Sequence, residues 1–379
     1  ITIPTHGGTT YNYDVDWDND GTFDELGLTG SVTHDFLTAG TYTIRIRGTF
    51  PRIYFNNASD KDKILSVDQW GSNQWISMEA AFKGCENLEV NAPDSPDLSK
   101  MINMREMFWG ASKFNQDISG WDVSNVELMS FMFWKSTSFN QNINAWNVSK
   151  VKTMRSMFEG AIFNGNIGLW DVSKVIDMSL MFKQNNFFNQ DISNWNVANV
   201  TNMKEMFSRA RVFNQDISGW DVSNVTNMSY MFNYAVDFNQ DIGSWNVAKV
   251  TDMRAIFWVA SSFNQDIGSW NVSNITDMSY MFSGALTFDQ NIGSWNVAKV
   301  TTMKDMFKNA KLSTTNYDAL LNGWNTQTLQ PNVIFDGGNS TYCSGETARN
   351  NIINTDNWTI TDGGLACTLN TTDFVTTWK

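Results

Sequence analysis

The stretch Val225-Thr-Asn-Met-Ser-Tyr-Met-Phe-Asn-Tyr-Ala-Val-Asp-Phe-Asn-Gln-Asp-Ile-Gly-Ser-Trp245-Asn-Val247 decides how the chain is read, because close copies of it lie on both sides. Trp marks the register at 121, 146, 170, 195, 220, 245, 270 and 295, in steps of 25 except one of 24, where a residue is missing before Phe163. Self-similarity at a fixed period of this length outranks any local signal and predicts units that bury their apolar faces on one another.

Two periodicities alternate inside the unit. Val225, Met228, Met231, Phe232 and Ala235 fall at the spacing of one face of a short helix, with Ser223 or Asn224 placed to cap it. Phe238, Gln240 and Ile242 then alternate with Asn239 and Asp241, and Trp245 and Val247 resume the alternation after Gly243-Ser244. That is strand spacing with a turn or bulge at the glycine. Each unit is expected to supply one or two helical turns and one short strand, the strands pairing in a parallel sheet.

The pattern Asn-Met-x-x-Met-Phe-x-x-Ala-x-x-Phe-Asn-Gln-Asp-Ile-x-x-Trp-Asp-Val-Ser-x-Val resembles the BspA-like leucine-rich repeats of bacterial surface proteins. The early copy Ala80-Ala-Phe82-Lys-Gly-Cys85-Glu-Asn-Leu88-Glu-Val90 is similar to the commoner form of that repeat, with Cys where later copies have Ala. The resemblance covers roughly residues 60–310. It implies an exported protein held at the bacterial cell surface and used for contact and adhesion, not an enzyme.

Residues 1–50 are not repeat-like. Thr2-Ile-Pro4, Tyr11 to Trp17, Ser31 to Phe36 and Thr41 to Arg47 read as strands between Gly-containing turns. The ending Gly40-Thr-Tyr-Thr-Ile-Arg-Ile46 resembles the last strand of PKD-like immunoglobulin-type sandwiches, and four strands make an incomplete one. The expected fold class is an α/β solenoid, leucine-rich-repeat-like with about 25 residues per unit, preceded by a small all-β immunoglobulin/PKD-like sandwich. Its divisions are 1–50 for the sandwich, 51–310 for the solenoid, 311–370 for a C-terminal cap and 371–379 for a protruding β-strand.

One motif is suited to a metal. Asp16-Trp-Asp18-Asn-Asp20-Gly21-Thr22-Phe-Asp24-Glu25 sets carboxylates at alternate positions before a sharp turn, with the Thr22 carbonyl and a later acid to follow. Calcium loops use that arrangement. Gly27 stands where an EF-hand has its bidentate Glu, so the expectation is a compact calcium site of Asp16, Asp18, Asp20, Thr22, Asp24 and Glu25 at a hairpin tip. An acidic, solvated turn is the alternative. A second acidic series, Asp191, Asp216, Asp241 and Asp266 with Asn at neighbouring copies, poses the same choice between a hydrated ladder and bound cations. The Trp series is expected in the core, with an exposed sugar-stacking platform as the alternative.

Composition narrows the rest. A formal charge of −13 and a pI near 4.6 argue against nucleic-acid or anionic-membrane partners. No apolar run is long enough to span a bilayer. The chain begins at Ile1, as a processed or excised segment would. Only His6 and His34 are present, and no phosphate loop, zinc spacing or nucleophile motif accompanies them. Of three cysteines, Cys343 and Cys367 flank one compact stretch and are the expected disulfide, worth about 3 kcal/mol by loop entropy. Cys85 is expected as a buried thiol.

The last residues, Thr371-Thr-Asp-Phe374-Val375-Thr376-Thr-Trp378-Lys379, lie beyond a cap that already reads as complete. In the proteins that this one resembles, such a segment is the first strand of the PKD-like module. Phe374, Val375, Thr376 and Trp378 are therefore expected to form an assembly strand that completes the N-terminal sandwich of the next copy. Head-to-tail contacts of that kind give a filament or tandem array. The alternative is a monomeric surface module that takes a host or environmental polysaccharide or protein on the solenoid face.

Overall fold

Each repeat has the apolar spacing of a helix without its hydrogen bonds. A computed structural model of the chain describes residues 1–367, which fall into two compact units divided between Asn224 and Val225. In the second unit the N–H groups of Met228, Tyr230, Phe232 and Tyr234 donate to the carbonyls of Asp252, Arg254, Ile256 and Trp258 at 2.7–2.9 Å. The residues between them close tight turns, Met231 onto Met228, Asn233 onto Tyr230 and Ala235 onto Phe232. Tyr230 and Tyr234 take φ of 59° and 56°. This left-handed backbone is uncommon outside glycine and breaks any helix. The first unit repeats the scheme, with Met154, Ser156, Phe158 and Gly160 donating to Asp177, Ser179, Met181 and Lys183.

The α/β solenoid expected from the sequence is thereby corrected. From residue 91 to residue 313 the described chain contains neither α-helix nor β-strand. Parallel pairing between copies is confined to isolated bridges, among them Asn103↔Leu128, Leu128↔Thr153 and Thr153↔Asp177 in the first unit and Asn227↔Asp252 in the second. Apolar spacing fixes which side chains turn inward, and successive turns satisfy it as well as a helix does. Met228, Met231, Phe232 and Ala235 are all fully buried. Asn224, expected as a helix cap, instead donates its side-chain amide to the Ala198 carbonyl of the preceding copy at 2.8 Å.

The alternating half of the repeat also misses strand geometry, because side chains replace the ladder. The N–H of Asn140 donates to Asn115 Oδ1, that of Asn164 to Asn140 Oδ1, that of Asn189 to Asn164 Oδ1 and that of Asn214 to Asn189 Oδ1, at 2.7–3.0 Å. Gln141, Gln190 and Gln215 add their amides to the same oxygens of the copy before. The 24-residue copy carries Gly165 in place of this Gln, and a Cβ there would lie 2.4 Å from the Gln141 carbonyl. In the second unit Asn264 continues the scheme on Asn239, and Asp289 takes its place on Asn264.

Inside, identical rings stack. Phe158 lies 5.6 Å from Phe133 and 5.8 Å from Phe182, with interplanar angles of 2° and 9°, and 4.0 Å from Phe163 of its own copy. The repeated Trp residues are buried, and most satisfy the indole N–H on an Ile carbonyl of the preceding copy, as Trp170 does on Ile143, Trp195 on Ile167 and Trp270 on Ile242. A buried indole needs such a partner.

The N-terminal region contains β1 (Thr2–Ile3), β2 (Asn12–Asp16), β3 (Glu25–Leu28), β4 (Val32–Thr33) and β5 (Arg45–Thr49). They form two antiparallel sheets, β1-β4 and β3-β2-β5. Tyr11, Tyr13, Val15, Trp17 and Phe50 are buried beneath them. Strand β3 was not expected, since Leu26 and the φ +67° of Gly27 interrupt any alternation there. His34, directly after β4, stacks on Trp17 at 4.9 Å, and His6 sets its ring edge-on to Tyr54. Next, β6 (Ser66–Val67) and β7 (Glu89–Val90) pair in parallel.

After Ala310 the pattern changes to regular structure: α1 (Thr314–Trp324), β8 (Ile334–Asp336), α2 (Glu346–Asp356) and β9 (Thr359–Thr361). Ser313 caps α1 by accepting from the Asn316 N–H, and Tyr317, Leu320, Leu321 and Trp324 form its buried face. β8 takes the position of a further copy, with Phe335 bridged to Met303, and pairs in parallel with β9. Cys343 and Cys367 form a disulfide.

Candidate functional site

The Asp-rich hairpin joins β2 to β3, and backbone donors shape it. Asp16, the last residue of β2, accepts the Gly21 N–H on Oδ2 at 3.1 Å. Asp18 and Asp20 each accept the N–H two residues on, at 3.2 and 2.6 Å, and Asp24 accepts the Trp17 N–H at 2.8 Å. Asn19 and Gly21 supply φ of 59° and 97°, which the reversal requires.

Of the six expected ligands, Asp16, Asp18 and Asp24 bring carboxylate oxygens to within 4.8 Å of one another. Asp20 Oδ1 is engaged by the Thr22 N–H, and Glu25 Oε1 accepts the Trp17 indole at 3.0 Å. Neither Asp20 nor Glu25 joins the group. Asp16 is fully buried, and its Oδ1 has no hydrogen-bond partner. The nearest cationic atom is Arg45 Nη1, 3.8 Å from Oδ2, on a side chain that is more than half exposed.

The repeated acidic series behaves otherwise. Asp191, Asp216, Asp241 and Asp266 each accept the N–H two residues on, from Ser193, Ser218, Gly243 and Gly268. Hydrogen bonds from the Ser193 hydroxyl and backbone hold Asp191 below the ordinary carboxylate value, and those of Ser218 do the same for Asp216. Each carboxylate is stabilised within its own copy. The Trp series, being buried, offers no platform. Cys85 is likewise buried, and burial pushes its thiol up to about 12. The expected assembly strand, Phe374, Val375, Thr376 and Trp378, lies outside the described residues.

A different aromatic row is half-exposed, on residues that flank the buried Met-Phe pair in some of the copies. In the first unit Trp109 lies 5.6 Å from Phe131 and 4.3 Å from Trp134. Lys83 Nζ sits 3.9 Å over Trp109 and Lys135 Nζ 4.3 Å over Trp134. In the second unit Trp258 meets Tyr230, Tyr234 and Tyr280 at 5.6–6.5 Å. The row is hard to read from the sequence because its aromatic positions do not recur in every copy as the buried Trp does. The available signal was an aromatic side chain recurring at positions where the core does not require one.

No curated protein matches the chain. Three overlapping stretches, residues 76–167, 161–257 and 237–341, each match a family described as Mycoplasma protein of unknown function, DUF285. These matches run without a break from residue 76 to residue 341, well over half of the 379 residues, and together with the repeat-to-repeat bonding they establish that the chain belongs to this family as a tandem array of its unit.

Proposed function

We propose that this is a non-catalytic, extracellular bacterial cell-surface protein with a structural and adhesive role. Copies join head to tail when residues 374–378 of one add a strand to the N-terminal sheet of the next. The observation that carries the reading is the sheet order β3-β2-β5. Among the described residues β5 is paired on one side only, and four of its five residues are exposed. An open edge on a three-stranded sheet is a template for an incoming strand. The resemblance of the repeat to BspA-like surface proteins, and of the N-terminal region to a PKD-like module, supports the same reading. So does the Cys343–Cys367 disulfide, which suits an oxidising compartment. Light scattering and negative-stain microscopy of the chain with and without residues 371–379 test the proposal. Filaments lost on deletion are expected, and a monomer in both cases overturns it.

The half-exposed aromatic row favours a second reading, a monomeric module that binds polysaccharide. Sugar rings present C–H faces that pack on aromatic faces, and the adjacent lysines and glutamates supply hydrogen bonds. Loss of glycan-array binding in a W109A/W134A double variant is the expected result, with unchanged binding sinking it.

A further inference from the structure

We infer that the β2–β3 hairpin is a calcium site, built on Asp16, Asp18 and Asp24, that locks the N-terminal sheet. The inference is independent of assembly and of glycan binding. It begins with one atom. Asp16 is fully buried, and its Oδ1 finds no donor while Oδ2 holds the Gly21 N–H. A buried carboxylate oxygen left unpaired is costly, so natural structures pair it or give it to a cation. The protein's own cation does not meet the need. Arg45 reaches towards Oδ2, at 3.8 Å, from a largely exposed position. Oxygens of Asp18 and Asp24 lie within 4.8 Å of an Asp16 oxygen and of each other. Three carboxylates converging on that scale repel one another, and a multivalent cation between them would offset that repulsion.

The chemistry of the donors selects the ion. All are oxygens, which excludes the soft, thiolate-seeking metals and suits the hard cations. The group draws its ligands from the end of a strand and from a short loop, and two of its three acids, Asp18 and Asp24, are exposed, so that water could complete the set. An irregular, partly hydrated oxygen set is what calcium accepts, at ligand distances of about 2.3–2.6 Å, whereas magnesium demands a near-ideal octahedron. The consequence is mechanical. Asp16 belongs to β2 and Asp24 immediately precedes β3, while Trp17 between the metal ligands is buried and stacks on His34 beside β4. One ion would therefore tie the hairpin tip to the aromatic core beneath it.

The full chain, stripped with chelator, is titrated with calcium chloride by calorimetry, with magnesium chloride as the reference. One calcium per chain is expected, bound more tightly than magnesium. Terbium should report the same site through emission sensitised by Trp17, falling in a W17F variant. Asp18 and Asp24 are exposed, so D18N and D24N keep the fold and lose one ligand charge each. Each should weaken calcium at least about tenfold. Amide exchange in β2 and β3 should slow on adding calcium to the native chain and not to D18N. A chain that releases no heat with calcium and sensitises no terbium overturns the site. Binding that survives unchanged in both D18N and D24N overturns it equally.

Discussion

The repeats and the closing segment after Ala310 bury aromatic rings equally well, yet they satisfy their backbones in opposite ways. Between residues 314 and 361 the main chain bonds to itself, in α1, α2 and the β8–β9 pair. In the repeats the main chain turns sideways to the neighbouring copy, and Asn and Gln side chains complete what the turns leave open. The lesson is that a stack can be specified by side-chain identity instead of by secondary structure. Its cost is intolerance at chosen polar positions, where a helix or sheet would be indifferent.

Core truncation in the repeats should have the largest effect. Phe158→Ala removes a ring packed against Phe133, Phe163 and Phe182 and is expected to cost about 3–5 kcal/mol in denaturant unfolding of the first unit. A smaller loss would mean that the rings are less interlocked than the parallel stacking indicates. In the closing segment the comparable device is covalent. C343S should cost about 2–4 kcal/mol there, read as faster amide exchange in α2 and β9 with little change in residues 103–214.

The sharpest contrast lies in the polar ladder. Asn164 Oδ1 accepts both the Asn189 N–H and the Gln190 amide. Asn164→Ala strands these donors and should cost about 1–3 kcal/mol, whereas Asn164→Asp keeps the acceptor and should be nearly neutral. The molecule already contains that control, since Asp289 accepts the Ser313 N–H and the Asn316 amide at the same register. Equal effects of the two substitutions would break the account.

Acid should act on the repeats more gently. Hydrogen bonds from Ser193 and Ser218 lower the folded-state values of Asp191 and Asp216 below the ordinary 3.8, and those of Ser173 do the same for Asp171. A depressed folded value means that the contribution is complete above about pH 4 and fades as pH falls through the lowered values. Thermal melting between pH 5 and 2 should show this decline, reduced in Asp191→Asn. Smallest of all is the exposed Lys152–Glu127 pair, whose removal should change stability by about 1 kcal/mol or less.

These contrasts also mark what was legible in the sequence. The period, the inward set Met228, Met231, Phe232 and Trp245 and the Cys343–Cys367 pairing all follow from apolar spacing and cysteine placement. Secondary structure inside the repeat did not. Spacing reports which side a residue faces, and the left-handed turns at Tyr230 and Tyr234 place residues on that side without i−4 bonding. A tyrosine there carries no glycine-like mark. In the hairpin, alternating aspartates were visible at once, but the sequence could not separate Asp18, which joins Asp16 and Asp24, from Asp20, which closes on Thr22.

The shortened copy around Phe163 has a consequence at the level of the gene. Its Phe163 and Trp170 are as well packed as those of full-length copies, with Gly165 absorbing the lost residue where a side chain would collide with Gln141. From Asn140 to Asn189 each copy offers its neighbour the same Asn acceptor that it receives, so these copies are not tied to an ordinal position. Slippage or unequal recombination that adds or removes one whole repeat in frame leaves each new junction chemically equivalent to the old ones. Selection on such a gene can change how far the product reaches without first having to invent a new interface.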